Sequence, residues 1–286
     1  MSDEGMTPPP PTVPPPGSEP PAPSQRVGLV TQRGEVARVR TWKRSVARFQ
    51  TFHAAGAPVA WTLVIVCAFL HLVTGVVDFA AGQADAWGIV FGARSGETLT
   101  LLGGRNHDRV AAGELWRLVS AGFLHGDASH LFFNGLALVG LGRMSAASFG
   151  SLRTLWIFLL SVVGGNVLSQ FGDAPLSIGA SGGVFGLMGA LVAFGWTRRA
   201  ALPPPMREMF GRQLWKWIGL NLVIGFLLPF IDNRGHIGGL VAGALAGLVL
   251  HDRLTRQDAP PRVTTVLLTV ACGVLLVAAF GGMAGG

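Results

Sequence analysis

Two long apolar runs each begin with a polar side chain of the kind that enzymes use: ASGGVFGLMGALVAFGWTRR at residues 180–199 and NRGHIGGLVAGALAGLVLHDR at residues 233–253. Ser181 lies seventeen residues before Arg198, and His236 lies seventeen residues before Arg253. At about 1.5 Å of helix rise per residue, both side chains sit about 26 Å above their basic anchors. They therefore meet at one depth, below the far surface of a hydrocarbon core about 30 Å thick.

The composition indicates a polytopic membrane protein. Half of the 286 residues are hydrophobic and only 13% are charged, and the mean hydropathy is +0.48, which is too apolar for an ordinary soluble domain. The apolar runs predict an all-α membrane protein with seven spans. These spans are residues 58–78, 128–148, 152–171, 181–197, 214–231, 236–251 and 264–282.

The basic residues predict the orientation in the membrane. The formal net charge of +7 does not indicate nucleic-acid binding, because the basic residues cluster between alternate apolar runs. With a cytoplasmic N-terminus, seventeen Lys and Arg residues lie in or beside inside segments and five in outside segments. The positive-inside rule therefore predicts a cytoplasmic N-terminus and an external C-terminus. The five external arginines are Arg94, Arg105, Arg109, Arg117 and Arg234.

The N-terminal 50 residues are predicted to be a cytoplasmic tail. Residues 1–25 are dominated by prolines and are expected to be disordered, and the rest of the tail is basic. No cleavable signal peptide is evident, so the first span is expected to stay as an anchor. The lack of a mitochondrial-type presequence favours a bacterial inner membrane over an organelle. Cys67 and Cys272 lie in apolar spans and are expected to be free thiols.

Ser181 and His236 are residues of the types that act as a nucleophile and its base in enzymes. A serine hydroxyl is a poor nucleophile until a neighbouring base takes its proton, and a neutral imidazole is the usual base. Taken singly, each residue is explained by a structural role. The serine would be a small residue that packs between helices, and the histidine would be an internal hydrogen-bonding partner. Their joint occurrence at one depth, each beside glycines, favours a functional pair, because polar residues inside spans are costly.

Glycines beside both residues indicate that the two helices approach closely. Gly239, Gly243 and Gly247 follow His236 at positions +3, +7 and +11 and share its helical face. The Ser181 helix offers Gly182, Phe185, Gly186 and Gly189. Such spacing by itself predicts only that two helices touch. Phe185 is expected either to pack against the imidazole or to be an ordinary core aromatic.

A second polar pair precedes the serine in the chain. His130 and Asn134 are one helical turn apart and project from one side of the second span. Together with the backbone N–H of Ser181, they are candidates for an oxyanion hole, which lowers the barrier of acyl transfer. The alternative is a polar pair that ties two helices together. His125 is expected to brace this region, and Trp116 and Arg117 to anchor the external segment at the headgroups.

No carboxylate enters the centre of a span. Asp78, Asp127, Asp173, Asp232 and Asp252 only flank the apolar runs. The sequence therefore predicts a Ser-His dyad in which packing orients the imidazole, and His71 is interpreted as structural.

These residues resemble the rhomboid intramembrane serine proteases. The resemblance covers the region from Trp116 to Leu250, and it includes the Trp-Arg pair, His130 with Asn134, Gly-x-Ser-Gly at Ser181 and His-x-x-Gly at His236. It implies that Ser181 is the nucleophile, that His236 is the general base and that His130 and Asn134 form the oxyanion hole. The family often has tyrosine where this chain has Phe185, and this chain contains no tyrosine.

The resemblance also implies an architecture. The expected fold is a rhomboid-like six-helix bundle at residues 51–253, followed at residues 254–286 by a linker and one extra transmembrane helix. The segment 81–113 is similar to an external loop that dips into the outer leaflet with an irregular backbone. The fifth span and the loop after it are expected to form a movable gate.

The implied function is an endopeptidase that cleaves transmembrane segments near their outer ends through an acyl-enzyme. The expected partners are single-span or polytopic membrane protein substrates and the lipid bilayer, and no metal, nucleotide or organic cofactor is implied. Two alternative functions fit the same residues. One is a non-proteolytic member of the same fold that escorts transmembrane clients, and the other is a solute or proton channel lined by the four polar residues.

Overall fold

The computed structural model describes seven parts of the chain, namely residues 23–54, 58–172, 174–228, 230–250, 266–267, 269–274 and 277–278. Its regular elements are mostly helices. The long ones are α1 (Pro23–Ala54), α2 (Pro58–Ala80), α7 (Ala128–Phe149), α8 (Ser151–Ser169), α9 (Ser181–Thr197), α11 (Leu214–Leu227) and α12 (Asn233–Val249). The short ones are α3 (Gly88–Phe91), α4 (Gly96–Leu101), α5 (His107–Ala111), α6 (Arg117–Ser120) and α10 (Pro204–Glu208).

Six of the seven predicted apolar runs coincide with long helices. They correspond to α2, α7, α8, α9, α11 and α12, and the run 181–197 matches α9 residue for residue. The seventh run, 264–282, is described only in part, at residues 266–267, 269–274 and 277–278, and these residues are helical. By length and composition alone, the stretch Glu35–Ala80, which contains α2, and the helix Ser151–Ser169 qualify as membrane spans, and Ser181–Thr197 is a shorter apolar helix.

The N-terminal region is helical wherever the structure describes it. Residues 1–22, most of the stretch predicted to be disordered, lie outside the described residues. Helix α1 begins at Pro23, within that stretch, and proline is favoured in the first turn of a helix because its missing N–H needs no partner there. Among the described residues, those up to Thr41 form one compact unit and those from Trp42 onward another.

The segment 81–113, which the sequence predicts to be external and which is called the external segment below, is more regular than the sequence predicts. It contains α3, α4 and α5, two of which are capped by a side chain: Ser95 accepts a hydrogen bond from the backbone of Thr98, and Asn106 from that of Arg109. A two-residue strand, β1 (Arg105–Asn106), pairs antiparallel with β2 (Leu176–Ser177). This pairing links the external segment to the loop that leads into α9.

The core lies between α8, α9 and α12, where backbones pack against one another. A Cβ atom on Gly239 would lie 2.1 Å from the carbonyl oxygen of Gly182, and one on Gly243 would lie 2.0 Å from that of Gly186. Gly247 meets Ala190 in the same way. The predicted glycine face is therefore confirmed as the contact between the helix that carries His236 and the helix that carries Ser181.

Apolar side chains cover the outward faces of the long helices. Among the exposed residues are Trp61, Ile65 and Phe69 of α2, Phe132, Phe133 and Leu136 of α7, and Trp215, Trp217, Leu220 and Phe226 of α11. Soluble monomers rarely expose apolar surface on this scale. Exposed apolar faces of this extent are expected of helices that lie in lipid.

Candidate active site

Ser181 and His236 are in hydrogen-bonding contact. Ser181 is the first residue of α9, and His236 lies in the first turn of α12. The Oγ atom of Ser181 is 2.9 Å from Nε2 of His236. The structure thus brings together the two residues that the sequence analysis paired by depth, because their helices begin side by side and pack through glycines.

The turn before Ser181 needs a glycine. Gly179 has a φ of +114°, which side-chain-bearing residues rarely adopt, and a Cβ there would lie 2.7 Å from Cε1 and Nε2 of His130. Its backbone N–H donates to the carbonyl of Ala121 at 2.9 Å. This turn presents Ser181 at the start of its helix and seats the His130 ring beside the loop.

The imidazole of His236 is oriented by a ring. Phe185, one turn into α9, stacks on it with centroids 4.2 Å apart and planes 13° from parallel. The other ring nitrogen, Nδ1, is buried and has no hydrogen-bond partner among the described residues. Both readings of Phe185 are observed, because it packs against the imidazole and is also buried in the hydrophobic core.

We expect Phe185→Leu to lower kcat about three- to tenfold, because stacked aromatic pairs contribute about 0.5–1.5 kcal/mol beyond their buried area. Phe185→Tyr keeps the ring and should stay within about twofold of the wild type by the same reasoning. Steady-state cleavage assays on the two variants test this. A leucine variant with unchanged kcat would show that the imidazole is held by something else.

His130 and Asn134 lie at the start of α7. Asp127 caps this helix, with its carboxylate accepting from the backbone N–H of His130 at 2.9 Å. The amide Nδ2 of Asn134 donates to the carbonyl of His130 at 2.9 Å. His130 therefore faces the Gly179 turn, whereas the amide hydrogen bond of Asn134 goes to its own helix. Their role as oxyanion donors stays a prediction.

His125 is fully buried beside His130, with ring centroids 5.0 Å apart and planes at 65°. Burial, together with the neighbouring His130, lowers the pKa of His125 to about 3. It is therefore neutral near pH 7, and its Nδ1 lies 3.3 Å from the carbonyl of Phe123. His71, interpreted as structural, contacts Arg94 Nη2 at 2.8 Å.

Arg117 is not a headgroup anchor, which corrects the sequence analysis. It is only 1% exposed and donates to the carbonyl oxygens of Thr100 and Gly104 and to the carboxylate of Glu114. Its guanidinium also lies over the ring of Trp116 at 4.5 Å. A buried guanidinium needs several acceptors. Arg117, stacked on Trp116, therefore holds the carbonyl and carboxylate groups that it contacts close together and keeps the external segment folded against itself.

Asp232 and Arg105 are polar residues whose importance the sequence analysis missed. The Asp232 carboxylate accepts from the hydroxyls of Ser169 and Ser177 and from the backbone N–H of Gly235, and it lies 4.0 Å from Arg105. Burial alone would raise the pKa of Asp232, but these hydrogen bonds and the guanidinium together hold it below its usual range. From the sequence alone, both residues look like ordinary charged residues in loops.

Among the described residues, no group of three or more His, Cys, Asp or Glu side chains is placed to hold a metal ion. The chemistry available to the site is that of a hydroxyl, an imidazole and nearby N–H donors.

Comparison with known proteins points to one family. Residues 112–253 match the model of the Rhomboid domain. The chain is similar to Rhomboid protease GluP of Bacillus subtilis, with 36% identity over 159 residues that cover 56% of this chain and 31% of the relative. It is also similar to two Arabidopsis thaliana proteins. These are RHOMBOID-like protein 5, 36% identical over 54% of this chain and 50% of the relative, and RHOMBOID-like protein 6, mitochondrial, 38% identical over the same shares. The matched region thus spans 31% to 50% of the length of these relatives.

Proposed function

Because the chain belongs to the rhomboid family through residues 112–253, we propose that it is an intramembrane serine endopeptidase that cleaves transmembrane segments near their outer ends. Membership of this family makes it an integral membrane protein. The observation that supports the activity best is the 2.9 Å contact between Ser181 Oγ and His236 Nε2. A nucleophile and a base at this distance are the minimum that acyl transfer requires.

The reaction follows from these two groups. The hydroxyl of Ser181 donates its proton to Nε2 of His236 while Oγ attacks the scissile carbonyl carbon. The tetrahedral intermediate then expels the amine, which takes the proton from His236, and an acyl-enzyme remains. Water attacks this ester while His236 takes one of its protons, the imidazolium then gives that proton to Oγ of Ser181 as the ester bond breaks, and the product leaves as a carboxylic acid that ionises.

The oxyanion is stabilised by donors around the start of α9. Ala180, the N-cap residue, makes no side-chain bond to the first turn, so the N–H groups of that turn are available. The imidazole of His130 adjoins Gly179, two residues before Ser181. We assign His130, Asn134 and the backbone N–H of Ser181 to the oxyanion hole, where each donor contributes up to about 4 kcal/mol.

Substrate selection follows from the helical state of the substrate. A transmembrane helix hides its carbonyls in internal hydrogen bonds, so it must unwind before Ser181 can attack. Residues that weaken helices near the outer end lower that cost. The hydrolytic water enters from the external side, because lipid supplies none.

The membrane topology is part of the proposal. We infer six core spans within residues 51–253, a seventh within 254–286, a cytoplasmic N-terminus with a tail at 1–50, and an external C-terminus. The distribution of basic residues supports this orientation. A bacterial inner membrane is the proposed location, although the relatives include plant proteins.

The test uses the purified full chain in detergent and two single-span substrates that differ by one glycine near the outer end of the span. Both should be cut, and the glycine substrate about fivefold faster, since glycine costs a helix about 1 kcal/mol. Mass spectrometry of the fragments locates the bond. The His236→Ala variant should cut neither substrate at a measurable rate.

Two other results would contradict the proposal. A wild-type protein that binds the substrates without cutting them would be an escort of transmembrane clients. Solute flux into vesicles that persists in Ser181→Ala, with no cleavage by the wild type, would identify a channel.

A further inference from the structure

One carboxylate joins three segments around the site. Oδ2 of Asp232 accepts two hydrogen bonds. One comes from the hydroxyl of Ser169, at the end of α8, and the other, at 2.8 Å, comes from the hydroxyl of Ser177 on β2. Oδ1 of Asp232 accepts from the backbone N–H of Gly235 at 3.0 Å. The end of α8, the strand before α9 and the first turn of α12 thus meet at a single side chain.

Two of these hydrogen bonds lead directly to the reacting atoms. Ser177 lies four residues before Ser181, and Gly235 immediately precedes His236. A short closed circuit therefore runs from Ser181 back to Ser177, across to Asp232, on to His236 and back through the 2.9 Å contact. Its covalent and hydrogen-bonded links limit how far the hydroxyl and the imidazole can separate.

Arg105 holds this circuit in place from the external segment. Its side chain is 0% exposed, and its Nη2 lies 4.0 Å from Asp232 Oδ2. The same nitrogen donates to Ser169 Oγ at 2.7 Å and to the carbonyl of Ala174 at 3.0 Å. Arg105 is also the partner of Ser177 in the β1–β2 pairing. A buried cation beside the carboxylate favours its charged, hydrogen-bond-accepting form.

Asp232 is not the third member of a triad. The hydrogen bonds to its two oxygens come from serine hydroxyls and a backbone N–H, and Nδ1 of His236 is without a partner among the described residues. The ring of Phe185 orients the imidazole instead. Asp232 therefore makes no hydrogen bond to the imidazole, and its hydrogen bonds next to the dyad are those to Ser177 and to the backbone of Gly235.

We propose that Asp232 is a positioning residue that sets the separation of Ser181 Oγ and His236 Nε2 by tying Ser177 to Gly235. This role rests on the proposed function, and it predicts an effect on kcat. Misplacing a catalytic group by about 1 Å can cost about 100-fold in rate, so loosening one link of the circuit should cost about tenfold.

Two serines provide a matched test, because Ser177→Ala and Ser169→Ala each remove one hydroxyl from the same carboxylate oxygen. Only Ser177 belongs to the strand that leads to Ser181. We expect Ser177→Ala to lower kcat about tenfold with KM within about twofold, and Ser169→Ala to leave both within about twofold. Ser177→Thr keeps the hydroxyl and should restore kcat. The melting temperature, measured alongside, should fall in both alanine variants and at least as far in Ser169→Ala, which also removes an acceptor from Arg105.

A mutant cycle tests the link itself. Ser177→Ala should lower kcat no further in an Asp232→Ala background, because Asp232→Ala has already removed the hydrogen bond between these two residues. If the Asp232→Ala protein does not fold, because Arg105 loses its counter-charge, the comparison of Ser177→Ala with Ser169→Ala still decides.

The outcomes separate this role from the proposed function. A wild-type enzyme that cleaves while Ser177→Ala matches it in kcat would overturn the positioning role and leave the protease intact. The same holds if Ser177→Ala raises only KM, or if Ser169→Ala lowers kcat equally. A wild type without cleavage removes the proposed function instead.

Discussion

Ser181→Ala should reduce kcat/KM for a single-span substrate by on the order of 10⁴-fold or more, to the background of the assay. The hydroxyl is the nucleophile in the proposed reaction, and the described residues around His236 offer no second hydroxyl at hydrogen-bonding distance from its Nε2. The loss should appear without unfolding, since an alanine fits the same space at the start of α9. Fragment release measured by gel or mass spectrometry gives the rate.

The matched control is Ser148→Ala. Ser148 is buried on α7 and its hydroxyl donates to the carbonyl of Met144 at 3.0 Å, within its own helix. Losing this bond should change kcat/KM by less than about twofold, since such back-bonds contribute little to a helix. Residual cleavage by Ser181→Ala above one per cent of the wild-type rate would remove Ser181 from the mechanism.

Gly243→Ala should lower the free energy of unfolding by about 3 kcal/mol, at the upper end of overpacking effects, because the clash is with backbone. A Cβ on Gly243 would lie 2.0 Å from the carbonyl oxygen of Gly186 and 2.4 Å from its Cα. The helix that carries His236 must move away from the helix that carries Ser181, so activity should fall as well. Unfolding by SDS titration in mixed micelles measures the stability.

Gly140→Ala is the control for this substitution. Gly140 lies in α7, and a Cβ there would meet no atom within 4 Å. The change should stabilise the protein by up to about 1 kcal/mol, because alanine has the higher helix propensity. Equal stabilities of the Gly243→Ala and wild-type proteins would show that α9 and α12 do not pack as closely as described.

The site residues with a strong sequence signal could be predicted because a small number of simple rules governs membrane helices. Polar residues within long apolar runs are rare, so Ser181 and His236 stand out, and a fixed rise per residue places them at one depth. Glycines at every fourth position identify the buried face of α12 without any tertiary information. The run 181–197 matches α9 because charged residues end it sharply.

The loop residues could not be predicted in the same way. Arg105, Arg117 and Asp232 lie in polar segments, where an exposed side chain is the ordinary expectation. Their burial depends on pairings between segments far apart in sequence, such as Arg105 with Ser169 and Asp232. The short helices of the external segment depend on local caps at Ser95 and Asn106 that hydropathy does not reveal.

The most direct measurement of the central claim is covalent labelling of the purified protein with a fluorophosphonate, followed by mass spectrometry of the modified peptide. The reagent reacts with a serine only when a base activates it. We predict a single adduct on Ser181 in the wild type and its loss in His236→Ala. Labelling of Ser181 at an undiminished rate in His236→Ala, or of another serine in its place, would contradict the proposed pair.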